Sequence, residues 1–211
     1  MLLLISKILL ILLVNSVYSL RNFSRVTIFM SLECELMQIN PSLFYRWASG
    51  NLVDNRNRGI FAEWLIGQIL GVIDVGDVRK EWDSCDLRYQ GMEIEVKTSG
   101  LSQTWKQMRN TTPRFSIEPQ KQTWNASTDE WLLHDPPVRT SDVYIFCLHE
   151  SDPATNQNVI DPNCWSFWVV SRDVIDRELT EQASLGLSTL NKISKKLKWS
   201  EVKSAIDQLQ S

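Results

Sequence analysis

The sequence predicts an α/β fold, because a segment with helical periodicity is followed by segments with the patterns of β-strands. The helical segment is Arg58–Gly71, in which apolar residues recur at three- and four-residue spacing. A β-hairpin is indicated between Asp86 and Lys97, and near-continuous apolar runs at Asp142–Leu148 and Cys164–Val170 are typical of buried strands. With 211 residues, of which 43% are hydrophobic, the chain is long enough for one globular domain with its own core.

The helical segment carries a single acid, Glu63, and ends at Gly71, a residue typical of a helix C-terminal cap. Burying an unpaired carboxylate among apolar residues costs free energy unless a cation meets it, and a metal ion would supply that cation. The alternative is that Glu63 lies on an exposed stripe of the helix and pairs with an arginine such as Arg58. Both interpretations stay open at this point.

The hairpin is predicted by Gly91, which separates two strand-like runs and places the turn at Gln90-Gly91. In the second run apolar and charged residues alternate, which sends the two sets to opposite faces of the strand. The apolar set is Met92, Ile94 and Val96, and the charged set is Glu93, Glu95 and Lys97. Asp86 opens the partner strand, so pairing about the turn brings it near Glu95 or Lys97.

Asp86 and Glu95 together supply two hard oxygen donors, the ligand type that suits Mg²⁺ or Mn²⁺. Hydrolysis of a phosphodiester, which is itself negatively charged, needs a cation that approaches the phosphate and lowers the pKa of the attacking water. Lys97, on the same face as Glu95, could orient or help deprotonate that water, or offset charge on the phosphoryl oxygens. The alternative is that this charged face is simply solvated.

The order of these residues resembles the PD-(D/E)XK, or restriction-endonuclease-like, nuclease superfamily. The shared features are an acid-bearing helix around Glu63, Asp86 at a strand start, and Glu95-Val96-Lys97 on the next strand, within roughly residues 58 to 110. The resemblance implies a central mixed β-sheet flanked by helices, with a core of αβββαβ order. It also implies that Asp86 and Glu95 are metal ligands, that Glu63 is an accessory acid at the metal, and that Lys97 is the catalytic lysine. The chain departs from the pattern at Cys85, which stands in place of the proline that gives the family its name and that many members also lack.

The function that the resemblance implies is a metal-dependent nuclease, which hydrolyses phosphodiester bonds in defence, repair or recombination. Its cofactor would be Mg²⁺ or Mn²⁺, and its partner a nucleic acid, foremost DNA. Two alternatives stay open: a nucleic-acid-binding module on the same fold without turnover, and an exported protein in which the charged strand is only a surface. By analogy alone, cutting both strands of a duplex implies a homodimer.

Two further residues are candidates for the site. Asp83 lies close enough along the chain to replace Asp86 as the metal-binding aspartate, although Asp86 has the better position at the strand start. Gln103 resembles the glutamine that some exonuclease-like members carry on the helix behind the lysine, and Ser102 is the expected cap of that short helix. The alternative for Gln103 is an ordinary surface position.

The formal net charge of −3 does not by itself indicate a nucleic-acid-binding protein, so any attraction for phosphate must be local. Between Lys97 and Lys121, Glu118 is the only acid among several basic residues. These basic residues are Lys97, Lys106, Arg109, Arg114 and Lys121. Such a segment could bind phosphates.

The stretch from Thr111 to Pro137 contains four prolines and few periodic apolar residues, so we expect a long and mostly irregular excursion. Trp105, Trp124 and Trp131 fall in or beside this stretch, where aromatic rings could stack on bases.

The C-terminal part is expected to contain one further loop and two helices. The loop is Ser151–Asn163, which is rich in Asp, Pro and Asn, and a helix opens at Ser171–Ile175. The last helix covers Trp199–Leu209, with Ser200 as its N-cap. Its apolar stripe is Val202, Ile206 and Leu209.

Residues 1–29 form an apolar N-terminal segment, and residues 30–211 are expected to form a single nuclease-like domain. Met1–Val14 has only Lys7 charged and resembles a short secretory signal, which would make the protein secreted or anchored to the envelope. The favoured alternative is that translation starts at Met30. The protein would then be cytoplasmic, with reduced thiols and no membrane contact, as expected for a nuclease acting on cellular DNA. The spacing of its four cysteines is not that of a zinc site.

Overall fold

The computed structural model describes residues 40–81, 83–106, 112–125 and 128–210. The chain divides into two units, Met1–Ala48 and Ser49–Ser211. The first unit contributes residues 40–48 to the described part, nearly all of them in helix α1 (Pro41–Ser49). The expected N-terminal segment 1–29 and the expected start at Met30 lie outside the described residues.

The second unit is a mixed α/β structure. Its first elements are α2 (Asn55–Leu70), β1 (Leu87–Tyr89), β2 (Met92–Gly100), β3 (Arg114–Ser116), β4 (Gln120–Asn125), β5 (Glu130–Val138) and β6 (Val143–His149). They are followed by α3 (Asn156–Ile160), a 3₁₀ turn (Pro162–Cys164), β7 (Trp165–Ser171), α4 (Arg172–Glu178), β8 (Ser184–Gly186), α5 (Leu187–Ile193) and α6 (Trp199–Asp207). Among the described residues, no helix has both the length and the apolar character needed to cross a membrane.

The central sheet has four strands in the order β1-β2-β6-β7. Strand β2 pairs antiparallel with β1 and parallel with β6, and β7 pairs antiparallel with β6. Every residue of β6 is buried, as its apolar sequence predicts. The predicted α/β class, with a mixed central sheet flanked by helices, is therefore confirmed.

Each face of the sheet packs against its own hydrophobic core. On one face, α2 and α6 cover the strands through residues such as Ile66, Ile94 and Val202. On the other face, the β3–β8 ribbon, α4 and α5 pack through residues such as Phe115 and Trp168. The alternation predicted for β2 is confirmed on the apolar side, because Ile94 and Val96 lie in the first of these cores.

Helix α2 has the predicted ending and begins earlier than predicted. It ends at Gly71, whose φ of 71° is left-handed and therefore easy for glycine. It begins at Asn55 because the Asp54 carboxylate accepts hydrogen bonds from the backbone N–H groups of Arg56 and Asn57.

The turn between β1 and β2 lies where the sequence predicts it. Gln90 and Gly91 both have positive φ, 50° and 84°. This is the conformation of a two-residue hairpin turn that matches the twist of its strands. The turn fixes the register in which Leu87 faces Ile94, so Asp86, the preceding residue, arrives beside Glu95.

The prediction that Thr111 to Pro137 is mostly irregular is wrong, because β3, β4 and most of β5 lie in this stretch. Strands β4 and β5 form an antiparallel hairpin that pairs with no other described strand. The register shifts between Gln120, which faces Val138, and Gln122, which faces Leu133. Pro136 and Pro137 fall in this irregular part, where a missing N–H interrupts no regular ladder.

Three other local predictions are corrected. The αβββαβ order is not confirmed, since two central strands follow α2 and the next, β6, comes only after the segment that holds β3 to β5. The expected loop at Ser151–Asn163 contains α3, whose first turn is capped by Thr155. The N-cap of α6 is Lys198 and not Ser200, because Glu201 Oε2 accepts from the Lys198 N–H at 2.8 Å.

Candidate active site

Asp86 lies at the point where the pairing between β1 and β2 ends. Its backbone N–H donates to Ile94 O at 3.1 Å. Its Oδ2 accepts from the backbone N–H of Val96 at 2.7 Å, so the side chain replaces the next bond of the ladder. Because β1 has three residues and β2 has nine, the edge of β2 beyond this point has no partner strand in the described part of the chain. Asp86 therefore holds a carboxylate at an open sheet edge.

Glu95 and Lys97 project from β2 and are joined by an ion pair between Glu95 Oε1 and Lys97 Nζ. Ser141 Oγ donates to the other oxygen, Glu95 Oε2, at 3.4 Å. The side chains of Glu95 and Lys97 are 23% and 25% exposed, so both are covered but accessible. The predicted placement of this pair on one face is confirmed.

Glu63 is reached by an arginine that the sequence did not single out. Arg79 Nε lies 2.5 Å from Glu63 Oε2, and Arg79 Nη2 lies 2.9 Å from Glu63 Oε1. The alternative that Glu63 pairs with an arginine is therefore confirmed, but the partner is Arg79 and not Arg58, which is buried and donates to Val53 O and Ser102 O at 3.1 Å each. Arg79 lies in the segment between α2 and β1, which carries five acids: Asp74, Asp77, Glu81, Asp83 and Asp86. A basic residue in such an acidic connection was the signal in the sequence that could have identified Arg79 as a partner for a carboxylate.

The electrostatics of Asp86 tie three of the predicted residues together. Burial, followed by the charges of Glu95 and Glu63, raises the pKa of Asp86 to about 7. The hydrogen bond from Val96 and the charge of Lys97 act in the opposite direction but do not compensate. We call Glu63, Asp86 and Glu95, with Lys97 and Arg79, the acidic cluster, in which burial and the charges of the two neighbouring carboxylates disfavour the ionised form of Asp86.

The acidic cluster has the donor atoms that a divalent cation prefers, but its side chains are not positioned around a single ion. Carboxylate oxygens are the donors that Mg²⁺ and Mn²⁺ prefer, and the mutual repulsion at Asp86 is what such a cation would relieve. Among the described residues, however, no three His, Cys, Asp or Glu side chains are arranged so that they could hold one ion together. Glu63 is engaged by Arg79, and one oxygen of Glu95 by Lys97. Asp86 and Glu95 would be the primary ligands.

Asp83, the alternative to Asp86, belongs to a different network. Arg88 Nη1 donates to Asp83 Oδ2 at 2.7 Å, and Arg88 Nη2 reaches Glu93 Oε1 at 3.2 Å. The bond from Arg88 lowers the pKa of Asp83, so this carboxylate is already neutralised by a partner. The geometry favours Asp86 over Asp83.

Gln103 is not on a helix behind Lys97. Residues 101–106 contain no helical turn, and Gln103 Nε2 donates to Gly100 O at 3.4 Å. Ser102 does not cap a helix, because its hydroxyl donates to Ser151 O at 3.1 Å and ties this segment to the end of β6. The expected short helix is therefore wrong for the described residues 101–106.

A cleft of about 930 Å³ opens between the β4–β5 hairpin and the central sheet, and its described lining contains Arg88 and Glu93 of the Asp83 network and no residue of the acidic cluster. Its lining includes Glu93, Trp124, His134 and Arg172, and it also includes Thr140, the neighbour of the Ser141 that bonds Glu95. Its volume lies in the range of ligand-binding sites.

The three tryptophans proposed to stack on bases differ in their surroundings. Trp105 and Trp131 are 59% and 53% exposed. Trp124 lies in the wall of the cleft, with its ring 5.4 Å from that of Trp131 in an edge-to-face contact. Trp124 is thus the one of the three that faces a cavity. Arg109 of the basic stretch lies outside the described residues.

Comparison with known proteins gives no assignment: no protein-family model matches the chain, and no curated protein matches it.

Proposed function

We propose that the protein is a metal-dependent nuclease, which hydrolyses phosphodiester bonds in nucleic acid, foremost DNA, with Mg²⁺ or Mn²⁺ as cofactor. The observation that carries the proposal is the placement of Asp86, whose carboxylate accepts from the Val96 N–H at 2.7 Å, beside the Glu95–Lys97 ion pair of β2. The charges of Glu95 and Glu63 add to burial in raising the pKa of Asp86. Repelling carboxylates at an accessible sheet edge are stabilised by a divalent cation, and such a cation is what attack on a phosphodiester needs.

Each side chain has a role that its contacts support. Asp86 and Glu95 would bind the cation, which when bound polarises the phosphate and lowers the pKa of the attacking water. Lys97, held by Glu95, is placed to orient that water or to offset charge on a phosphate oxygen. Glu63 would be an additional ligand once it is free of Arg79.

The proposal includes membership of the PD-(D/E)XK superfamily. The helix α2 with Glu63, the strand β1 preceded by Asp86, and β2 with Glu95 and Lys97 occur in the order that the resemblance requires. Strand β6, parallel to β2, would complete the core. This element of the proposal rests on the order of the residues and on the local geometry alone.

We place the substrate strand next to the scissile phosphate in the cleft lined by Trp124. A base of the substrate would stack on the Trp124 ring, and a phosphate would lie near Arg172. The substrate strand would then run along β2 from Glu95 toward Glu93. Stacking on a tryptophan is tolerant of sequence, which suits a single-stranded segment. Cutting both strands of a duplex would take two copies, which light scattering with and without DNA would detect.

The test is cleavage of end-labelled single- and double-stranded DNA by the full-length protein with MgCl₂, MnCl₂ or EDTA. Asp86→Asn and Lys97→Ala should each lower the rate about 100-fold or more, because each removes a group acting on the reacting phosphate or water. Trp124→Ala should weaken metal-free binding of single-stranded DNA about 5- to 100-fold, whereas Trp124→Phe should retain most of the binding.

Matched controls come from residues outside the cluster. Asp207→Asn alters an aspartate that is paired with Lys203 at 2.9 Å, and Lys196→Ala alters a lysine that is paired with Glu150 at 2.9 Å. Both should cut like the wild type. Cleavage that survives in both Asp86→Asn and Lys97→Ala would refute the proposal, and DNA binding without cleavage under any metal would leave a binding module instead.

A further inference from the structure

Arg79 holds the third carboxylate of the acidic cluster through both of its oxygens. The guanidinium makes two parallel contacts with Glu63, at 2.5 and 2.9 Å, and a longer one of 3.8 Å with Glu81. The Arg79 side chain is 38% exposed, whereas that of Glu63 is 17% exposed. The arginine therefore presents a partly accessible face to solvent, while the carboxylate that it holds is mostly covered.

The same guanidinium also lies in the field of Asp86. The charge of Asp86 adds to that of Glu63 in stabilising the protonated arginine. Arg79 thus pairs with Glu63 and is influenced by the charge of Asp86, while Lys97 pairs with Glu95. A divalent cation beside Asp86 would compete directly with Arg79 for Glu63, because one carboxylate cannot chelate both through the same oxygens.

We infer that Arg79 is a movable counter-ion: it holds Glu63 in the metal-free protein and transfers to a phosphate oxygen of the substrate when Glu63 turns to the cation. The inference rests on the proposed function. A guanidinium fork fits two phosphate oxygens as it fits two carboxylate oxygens, so the exchange keeps both hydrogen bonds. The connection that carries Arg79 has no helix or strand in the described residues 72–81.

This role predicts that Arg79→Ala strengthens the binding of Mg²⁺ but weakens the binding of DNA. Without nucleic acid, Arg79→Ala frees Glu63 and removes a positive charge, so Mg²⁺ should bind about 5- to 10-fold more tightly. With nucleic acid, the same variant lacks a phosphate contact, so KM for DNA should rise about 10-fold. A residue needed only for folding would weaken both kinds of binding.

The experiment is calorimetric titration of MgCl₂ into full-length wild type and variants, beside cleavage kinetics on one DNA substrate. Arg79→Lys keeps the charge but loses the fork, so its Mg²⁺ affinity and its KM should lie between those of the wild type and Arg79→Ala. Arg177→Ala, which removes an exposed arginine paired with Glu178, is the charge-matched control and should change neither value.

A second variant separates release of Glu63 from a general charge effect. In a Glu63→Gln background, Arg79→Ala should no longer tighten Mg²⁺ binding, because the carboxylate to be freed is absent. A gain that persists in that background would overturn the inference, and so would an unchanged KM for Arg79→Ala. If the wild type binds Mg²⁺ and cuts DNA while Arg79→Ala binds Mg²⁺ no more tightly, the inference alone fails. If the wild type neither binds Mg²⁺ nor cuts, the proposed function fails with it.

Discussion

Two polar clusters lie along β2, and they differ in charge and in exposure. The acidic cluster around Asp86 has an excess of carboxylates and lies at an accessible sheet edge. The second, which we call the buried cluster, consists of Arg58, Thr98, Gly100 and His149, and it lies beneath the first turn of α2. In the buried cluster Arg58 and His149 are 2% and 0% exposed.

The two clusters differ in which groups compensate their charges. Backbone oxygens of Val53 and Ser102 accept from Arg58 Nη1 and hold that charge in place, whereas Arg58 Nε, Thr98 Oγ1 and both ring nitrogens of His149 are buried without a hydrogen-bond partner in the described part of the chain. The acidic cluster is compensated only in part by Lys97 and Arg79, and it can exchange partners with solvent. Residue type alone does not distinguish the two, since α2 supplies one charged side chain to each.

The largest expected effect concerns the acidic cluster. The pKa of Asp86 is raised, so the folded state is penalised progressively as pH rises from about 4, where the unfolded chain ionises, to about 7. Asp86→Asn keeps an acceptor for the Val96 N–H and removes the charge. Without metal, its free energy of unfolding at pH 8 should exceed that of the wild type by about 2 to 4 kcal/mol.

This excess should vanish at pH 4, which urea unfolding at both pH values measures. Asp83→Asn is the control, and it should be less stable than the wild type at pH 8, because it loses the Arg88 pair. An Asp86→Asn variant that is less stable than the wild type at pH 8 would show that the carboxylates do not repel in the folded protein.

A smaller effect is expected from overpacking the buried cluster. A Cβ at Gly100 would lie 2.6 Å from Arg58 Cζ and Nη1, so the guanidinium would have to leave its acceptors. Gly100→Ala should therefore destabilise the protein by about 1 to 3 kcal/mol. Gly59→Ala is the matched control: a Cβ there meets nothing within 4 Å, and alanine in a helix should add about 0.5 to 1 kcal/mol. Equal unfolding midpoints for the two variants would contradict the packing described.

The smallest expected effect concerns His149, which should lower stability as pH falls, whereas Asp86 lowers it as pH rises. Burial, with a further contribution from the charge of Arg58, lowers the pKa of His149. The unfolded chain takes up a proton near pH 6.5 while the folded protein does not, so stability is complete above that pH and falls below it.

The loss should be up to about 1.4 kcal/mol per pH unit below the unfolded pKa. His149→Phe, which keeps a ring against Trp165, should flatten the acid limb of a stability curve between pH 6.5 and 5. His134→Phe, which alters the histidine bonded to Thr123 at the cleft, is the control and should leave that limb unchanged. If His149→Phe still loses stability between pH 6.5 and 5, that loss is caused by groups other than His149.

The parts of the fold that could be predicted are those determined by residues close together in the sequence. Alternation and Gly91 predicted the hairpin that brings Asp86 beside Glu95, and apolar runs predicted β6 and β7. The cap of α3 was also written in the sequence, as Thr155 followed three residues later by Asn158, although it was not recognised. These features depend on neighbours in the chain.

The parts that could not be predicted depend on tertiary contacts. Nothing local places Arg79 on Glu63, sixteen residues earlier in the chain. Ser102 would cap a helix by its residue type, but its hydroxyl is drawn to Ser151 at the end of β6. Pro136 and Pro137 argued against a strand, yet β5 accommodates them because its partner shifts register there.

The most direct test of the account is the unfolding midpoint of the wild type at pH 8 as MgCl₂ increases from zero, measured beside Asp86→Asn. Without metal the variant should unfold at the higher temperature, because it lacks a carboxylate whose ionised form is disfavoured by burial and by the charges of Glu95 and Glu63. With Mg²⁺ at about ten times its dissociation constant, the wild type alone should gain about 1.4 kcal/mol, so the gap between the two midpoints narrows as metal is added. Midpoints that do not respond to Mg²⁺, or that rise equally in both proteins, would contradict the claim that Asp86 and its neighbours bind a divalent cation.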